Sequence, residues 1–318
     1  MWHSSLSPEA INTPSAARRE RRLAGKKILF VFDREESTVT FRILRSSVVT
    51  MAGLTIVIAF IVVSLALWIT NDAILPYNPN TITMATLQPP SIAHLFGTDS
   101  LGRDVFSRVL AAAPIDAKVP AAVLLVAVSL GLLTGTIAGF FGGLIEETIM
   151  RVTDIFLAFP GIVLALAIAA ALGPSINNSI LALAPVWWPS YTRLARGETL
   201  TVKSQQYIEA SRAAGHKSRY VVLHHVIPNI LPVILVYATL DFGTVIIIFS
   251  VLSYVGLGAQ PPTAEWGLMT VQQSQYLTSS PWIPLIPALL ILLVAVGFSL
   301  VGDGLRDALD PKIRSLYG

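Results

Sequence analysis

Few patterns in this sequence could do covalent chemistry. Gly215-His216-Lys217-Ser218 holds the residue types of a phosphate-cradling loop but not their order, and position 210 is alanine. The chain is therefore not expected to hydrolyse ATP itself. His224 and His225 are adjacent, so on a helix they point about 100° apart and cannot share a metal as an i,i+4 pair would. They read as interface or solvated histidines. There is no HExxH motif and no cysteine, which leaves no thiol nucleophile, disulfide or thiolate metal site. Gly256-x-Gly258 lacks the third glycine of a dinucleotide loop. No catalytic residue, metal ligand or cofactor site is expected in this chain. One acid stands out: Asp241, midway along an apolar stretch. A carboxylate there is costly and faces a partner or a cavity. It is either a structural hydrogen-bonding group or a lining residue of a path, and its own helix offers it no partner.

The most informative polar stretch is 207–228, YIEASRAAGHKSRYVVLHHVIP, a basic segment between two apolar ones. Residues 205–214 favour a helix that Gly215 can close in a left-handed conformation. Ser218 can cap a second short helix that Pro228 ends. The first helix carries Ile208, Ala210, Ala213 and Ala214 around Glu209 and Arg212, and its small residues let another surface come close to the backbone.

The elements that must hold these residues are apolar. The 318-residue chain is 53% hydrophobic and only 13% charged, against about 25% charged in soluble domains. It reads as an all-α polytopic membrane protein. Six stretches approach the ~20 apolar residues a span needs: 48–69, 119–141, 155–172 with Pro160, 180–194 broken by Pro185 and Pro189, 231–254 and 282–301. With both termini in the cytoplasm, nineteen of the 22 Lys and Arg residues lie inside, leaving Arg103, Arg108 and Lys118 outside. That orientation puts the 207–228 hairpin in the cytoplasm. Residues 1–45 form a basic tail that sets orientation; nucleic acid is not an expected partner. The external stretch GTDSLGRDVFSRVL reads as an amphipathic lid helix capped by Asp99 or Ser100, with Asp104 and Arg108 paired at i,i+4. The lid is either a structural cap or a surface that receives a partner. Gly131, Gly135, Gly139 and Gly143, each four apart, make a stripe for close helix packing.

Glu209-Ala210-Ser211, with Gly215 six residues after the glutamate and Ile227-Pro228 beyond, resembles the EAA loop of the membrane subunits of binding-protein-dependent ABC importers. Further points of resemblance are Gly97-Thr98-Asp99, Gly102-Arg103-Asp104, Leu157-Ala158-Phe159-Pro160, Trp188-Pro189-Ser190-Tyr191, the run GLGAQPPTAEWG from Gly256, and Gly302-Asp303-Gly304. These resemble the dipeptide, oligopeptide and nickel permeases, specifically the C-type subunit of the permease pair, over about residues 45–314. The resemblance implies a type I importer permease fold with six transmembrane helices in a multi-pass prokaryotic cytoplasmic membrane protein. The implied organisation is a tail (1–45), a first span (46–70), an external loop (71–117), a five-helix core (118–302) with a coupling loop at 203–228, and a C-terminal tail (303–318). Implied partners are a second homologous permease, two ATPase subunits that bind ATP and Mg, an extracytoplasmic binding protein and the bilayer. Tyr207, Glu209, Ala210, Ser211, Gly215, His225 and Pro228 would contact the ATPase. The solute would be a peptide, an oligosaccharide or a nickel complex. A reading from another class is a stand-alone secondary transporter or channel, with Asp241 as its candidate coupling residue.

Overall fold

In a computed structural model, residues 44–45 and 47–309 are described. Most of the basic tail expected at 1–45 and the end of the tail expected at 303–318 lie outside them. Ten α-helices account for nearly all the secondary structure among the described residues, with one isolated β-bridge between Thr98 and Asp104. Four helices are long and apolar enough to cross a bilayer, or five if a bent pair is taken as one span.

Helix α1 (Val48–Thr70) starts where the Ser47 hydroxyl accepts from the Thr50 N–H at 3.2 Å, and it ends at Asn71 in a left-handed conformation. It is apolar all round, so periodicity alone does not say which side packs. Gly53, Val57, Phe60, Ser64 and Leu67 turn inward, whereas Ile58, Ile61, Leu65 and Trp68 are exposed. In a bilayer the exposed side meets lipid, which removes the cost that water would impose.

Helix α2 (Val105–Phe141) corrects the expected lid. The stretch before the second span is not a separate helix on the outer face but the first turns of one 37-residue helix. At 1.5 Å per residue it is about 55 Å long, well beyond the ~30 Å apolar core of a bilayer. Its cap is Asp104, not Asp99 or Ser100: the Ser107 N–H and hydroxyl both donate to Asp104 Oδ2 at 2.7 Å. That use of the carboxylate replaces the expected pair with Arg108. Pro114 and Pro120 sit inside the helix without ending it. The Ser64 hydroxyl of α1 donates to the Ala113 carbonyl at 3.1 Å, a bond from outside the helix beside the first proline.

The third apolar stretch is not a single helix either. Helices α3 (Gly143–Leu157) and α4 (Gly161–Leu172) meet at 85° across Ala158–Pro160. Proline has no N–H to carry the helix on, and Pro160 stands in an extended conformation. Gly143, the fourth residue of the glycine stripe, opens α3 at φ 59° and faces open space. The other three glycines pack. A Cβ on Gly131 would strike Tyr191, one on Gly135 the Thr192 carbonyl, and one on Gly139 would stand 2.8 Å from the Arg196 carbonyl. All three partners lie on α5 (Ile176–Lys203), so α2 and α5 run backbone against backbone.

α5 contradicts the expected break at Pro185 and Pro189, since it is continuous through both. The chain then makes α6 (Gln206–Ala213), α7 (Ser218–Val221), a π-turn over Val222–Val226, and α8 (Ile227–Tyr254). The short helix α9 (Trp266–Gln272) is capped by Glu265 before α10 (Trp282–Leu309) closes the fold. α10 runs eight residues past the end expected at 301. One core gathers α2, α4, α5, α8 and the hairpin; the other gathers α1, the start of α2, α9 and α10.

Candidate functional site

The 207–228 hairpin is built on very little regular structure. An eight-residue helix is marginal by itself, so α6 needs an anchor. Ile208 supplies it: its side chain is fully buried in the first core together with Val221, Val226 and Ile230. The Arg212 guanidinium lies 4.8 Å from the Phe140 ring centroid at the end of α2, and the Lys203 ammonium donates to the Gly139 carbonyl at 3.4 Å. Thus the inner side of the hairpin rests on the α2–α5 pair.

Gly215 turns the chain at φ 85° with nothing within 4 Å of its would-be Cβ. Its N–H donates to the Arg212 carbonyl at 2.9 Å, and the His216 N–H to the Ser211 carbonyl at 3.3 Å. The second helix differs from expectation at both ends. Ser218 is its first residue rather than its cap, and Lys217 holds the cap position without a side-chain bond. Pro228 does not end it. The π-turn shifts the bonding so that the Ile227 N–H reaches the Val222 carbonyl, and Pro228 falls in the first turn of α8, where a missing N–H costs least. The Asn229 amide donates to the His225 carbonyl at 2.6 Å.

The outward side of the hairpin presents Glu209, Ala210, Ala213, Ala214 and Gly215, all exposed, with Ser211 half-buried. Tyr207 is exposed as well and meets His225 edge to face, ring centroids 6.3 Å apart. His225 is buried inside the hairpin, not on its outer side. Burial, and then the neighbouring His216 and His224, lower its pKa below the ordinary histidine value of 6.5. His216, Tyr220 and His224 form an exposed stack with centroids 4.4 and 4.3 Å apart.

Behind the hairpin, α3 and α5 are tied by charge. Arg193 donates to Asp154 at 2.6 Å, and the guanidinium of Arg196 pairs with Glu146. These pairs carry the polar helix α3 on the same end of the bundle as the hairpin.

Asp241 is elsewhere, thirteen residues beyond Pro228 and so about 20 Å up α8. The Tyr191 hydroxyl of α5 donates to its Oδ2 at 2.7 Å, and the Trp187 indole is its second polar neighbour. The carboxylate lines a cavity of about 410 Å³ between the α3–α4 elbow, α5 and α8. The structure therefore joins Asp241 to a partner on another helix and to a cavity, and it does not join Asp241 to the hairpin residues. Among the described residues, no cluster of three or more His, Cys, Asp or Glu could hold a metal.

Two features at the end of the bundle opposite the hairpin escaped the sequence reading. Arg108 is fully buried and donates to the Pro79 carbonyl at 2.8 Å, to Asn80 Oδ1 at 3.0 Å and to the Pro262 carbonyl at 3.5 Å, with Asp99 3.8 Å away. It fastens the loop before α2 and the loop before α9 to the start of α2. Glu265 accepts the N–H groups of Gly267 and Leu268 at 2.9 and 2.7 Å, while Asp116 accepts that of Trp266 at 3.2 Å. Burial raises the pKa of Glu265 above the ordinary value of 4.5. Pairs 150 residues apart leave no local signal; buried charge in an otherwise apolar context was the one available hint.

Residues 131–315 match the family described as binding-protein-dependent transport system inner membrane component. The chain is 41% identical over 276 residues to the dipeptide transport system permease protein DppC of Alkalihalophilus pseudofirmus, covering 86% of this chain and 90% of the relative. It is 44% identical over 253 residues to the probable D,D-dipeptide transport system permease protein DdpC of Escherichia coli K12, covering 79% and 85%. Identity to the glutathione transport system permease protein GsiD of Escherichia coli O6:K15:H31 is 41% over 275 residues, covering 86% and 89%. A chain of the MetNI methionine ABC transporter, solved in an inward-facing conformation, superposes with a TM-score of 0.50 at 20% identity. That match covers 62% of this chain and 94% of the other, and shows a shared fold.

Proposed function

The chain belongs to the family of binding-protein-dependent transport system inner membrane components, and from that membership we propose how it works and what it carries. It is a multi-pass permease subunit of an ABC importer in the cytoplasmic membrane. In our reading it has the type I importer arrangement of six spans, with both termini in the cytoplasm. α5 makes the fourth span with its apolar first half, and its charged second half leads to the hairpin. A second homologous permease completes the pathway, two ATPase subunits bind the nucleotide, and an extracytoplasmic binding protein delivers the solute. The solute is a peptide; three relatives named for dipeptides and glutathione support that class.

The observation that carries the mechanism is the two-sided hairpin. Its inner side is anchored by Ile208, while Glu209, Ala210, Ala213 and Ala214 face outward with no partner among the described residues. A short helix of small residues can enter a groove without side-chain obstruction, and Glu209 at its first turn can accept from a cationic or N–H donor there. Closure of the ATPases would push on α6. Because the π-turn is continuous with α8, displacement would pass into α8, which lines the Asp241 cavity.

Co-purification of the tagged chain with its partners, followed by ATP-driven peptide uptake in proteoliposomes, tests this. Glu209→Ala and Gly215→Pro should abolish ATPase association or uptake while the chain still inserts in the membrane. Uptake by a chain that purifies alone, independent of ATP and indifferent to both substitutions, would refute it.

A further inference from the structure

We propose that Asp241 and the aromatic walls of its cavity form a subsite for the protonated amino group of the transported peptide, an inference that rests on the permease reading above. The cavity, about 410 Å³, is within the range of small-molecule sites, about 300–1,000 Å³. Its make-up selects a kind of ligand. Phe156 and Phe159 enter from the α3–α4 elbow, Trp187 from α5, and Tyr237 stands one turn before Asp241 on α8. Asp241 is the single charged residue lining it. Aromatic faces beside a lone carboxylate attract a cation that carries apolar substituents and disfavour an anion. A peptide's terminal ammonium, with its first side chain, has that form.

The carboxylate is also set up to receive a donor. Tyr191 holds Oδ2 at 2.7 Å, and Trp187 is the other polar neighbour. A carboxylate accepts at about four lone-pair sites, so two donors leave capacity for an ammonium group. The nearest cation on α5, Arg193, is engaged with Asp154 at 2.6 Å and is not among the lining residues. The walls are braced as well: Phe156 packs edge to face on Trp188, centroids 5.4 Å apart. The competing explanation is that Asp241 serves only to tie α8 to α5 through Tyr191. The two explanations differ in what each group's removal should do.

The test uses the complete transporter in nanodiscs without its binding protein, so that the binding protein's own selectivity plays no part. Radiolabelled alanyl-alanine and N-acetyl-alanyl-alanine are compared by equilibrium dialysis, with Trp emission as a second readout. A charge-assisted hydrogen bond of this kind corresponds to about a ten- to hundredfold difference in affinity. The free amine should therefore bind tighter by that factor. Asp241→Asn should erase the preference, Tyr191→Phe should keep it, and Trp187→Phe should remove the emission change. Equal binding of the two peptides, binding of neither, or an assembled Asp241→Asn transporter that still prefers the free amine would overturn the subsite. Should Asp241→Asn fail to assemble, the wild-type comparison and the Trp187→Phe emission control decide. ATP-driven uptake with the binding protein restored separates the two levels. If uptake persists without amine preference, only the subsite falls; if wild type shows no uptake, the permease reading falls with it.

Discussion

Ile208→Ala is the substitution that separates the two sides of the hairpin most cleanly. Ile208 is the one fully buried residue of α6, fully enclosed by the core that also holds Val221, Val226 and Ile230. Truncating a buried isoleucine to alanine costs about 2–5 kcal/mol, through lost transfer energy and the cavity left behind. In a long span that loss would be spread over many contacts. In α6 it falls on an eight-residue helix with little stability of its own. The population of hairpins detached from the α2–α5 surface should then rise by roughly 30- to 4,000-fold, at 1.4 kcal/mol per factor of ten. Arg212, Lys217 and Arg219 lie in this segment and are exposed, so limited trypsin digestion of inside-out vesicles reads the detachment directly. Cleavage in the hairpin should accelerate by at least tenfold, while the spans stay inserted and melt as in wild type. Glu209→Ala is the matched control. It removes an exposed side chain with no partner among the described residues, so digestion should not change although ATPase association is lost. If Ile208→Ala is digested at the wild-type rate, the hairpin is not held by this anchor and the two-sided account is wrong.

Gly135→Val should damage the bundle, because a side chain there drives into the Thr192 carbonyl and overpacking of this kind costs about 1–3 kcal/mol. A lower melting temperature in detergent checks it, and the same change at Gly131 should behave alike. His225 has a folded pKa lowered below the ordinary 6.5. The folded hairpin therefore binds fewer protons than the unfolded one, and its stability should fall as pH drops below that value. Tryptic cleavage of the hairpin should rise on acidification relative to a His225→Phe variant digested alongside. Glu265 has the opposite sign: its pKa is raised above 4.5, so the folded cap of α9 holds the proton longer. Stability should decline as pH rises above that value. Glu265→Gln should flatten that slope in a melting-temperature series, while losing about 1 kcal/mol of capping because one of two acceptor oxygens is gone.

Apolar length, the charge imbalance between loops and the glycine spacing were all legible in the residues alone. A bilayer demands that a span satisfy its own backbone groups, so a lone 22-residue apolar run such as 48–69 had few alternatives to a helix and became Val48–Thr70. The stripe at 131, 135 and 139 likewise announced a close helix contact, and the EAA-like spacing located the hairpin and its bend. Proline was where local reasoning failed. Pro160 breaks its span and produces an 85° elbow, whereas Pro114, Pro120, Pro185 and Pro189 ride inside continuous helices. All remove the same N–H donor, so the outcome depends on how neighbouring helices pack around each one, which local sequence does not show. The lid read at 97–110 was misjudged for a related reason: amphipathicity signals that a helix has a wet side, not whether it continues into the next apolar run. The partners of buried polar groups were beyond reach altogether. Tyr191 and Asp241 are fifty residues apart, and Asp116 and Trp266 are 150 apart. The cost of burying a charge makes such partners necessary; which ones they are depends on how the helices cross, and only the tertiary structure decides that.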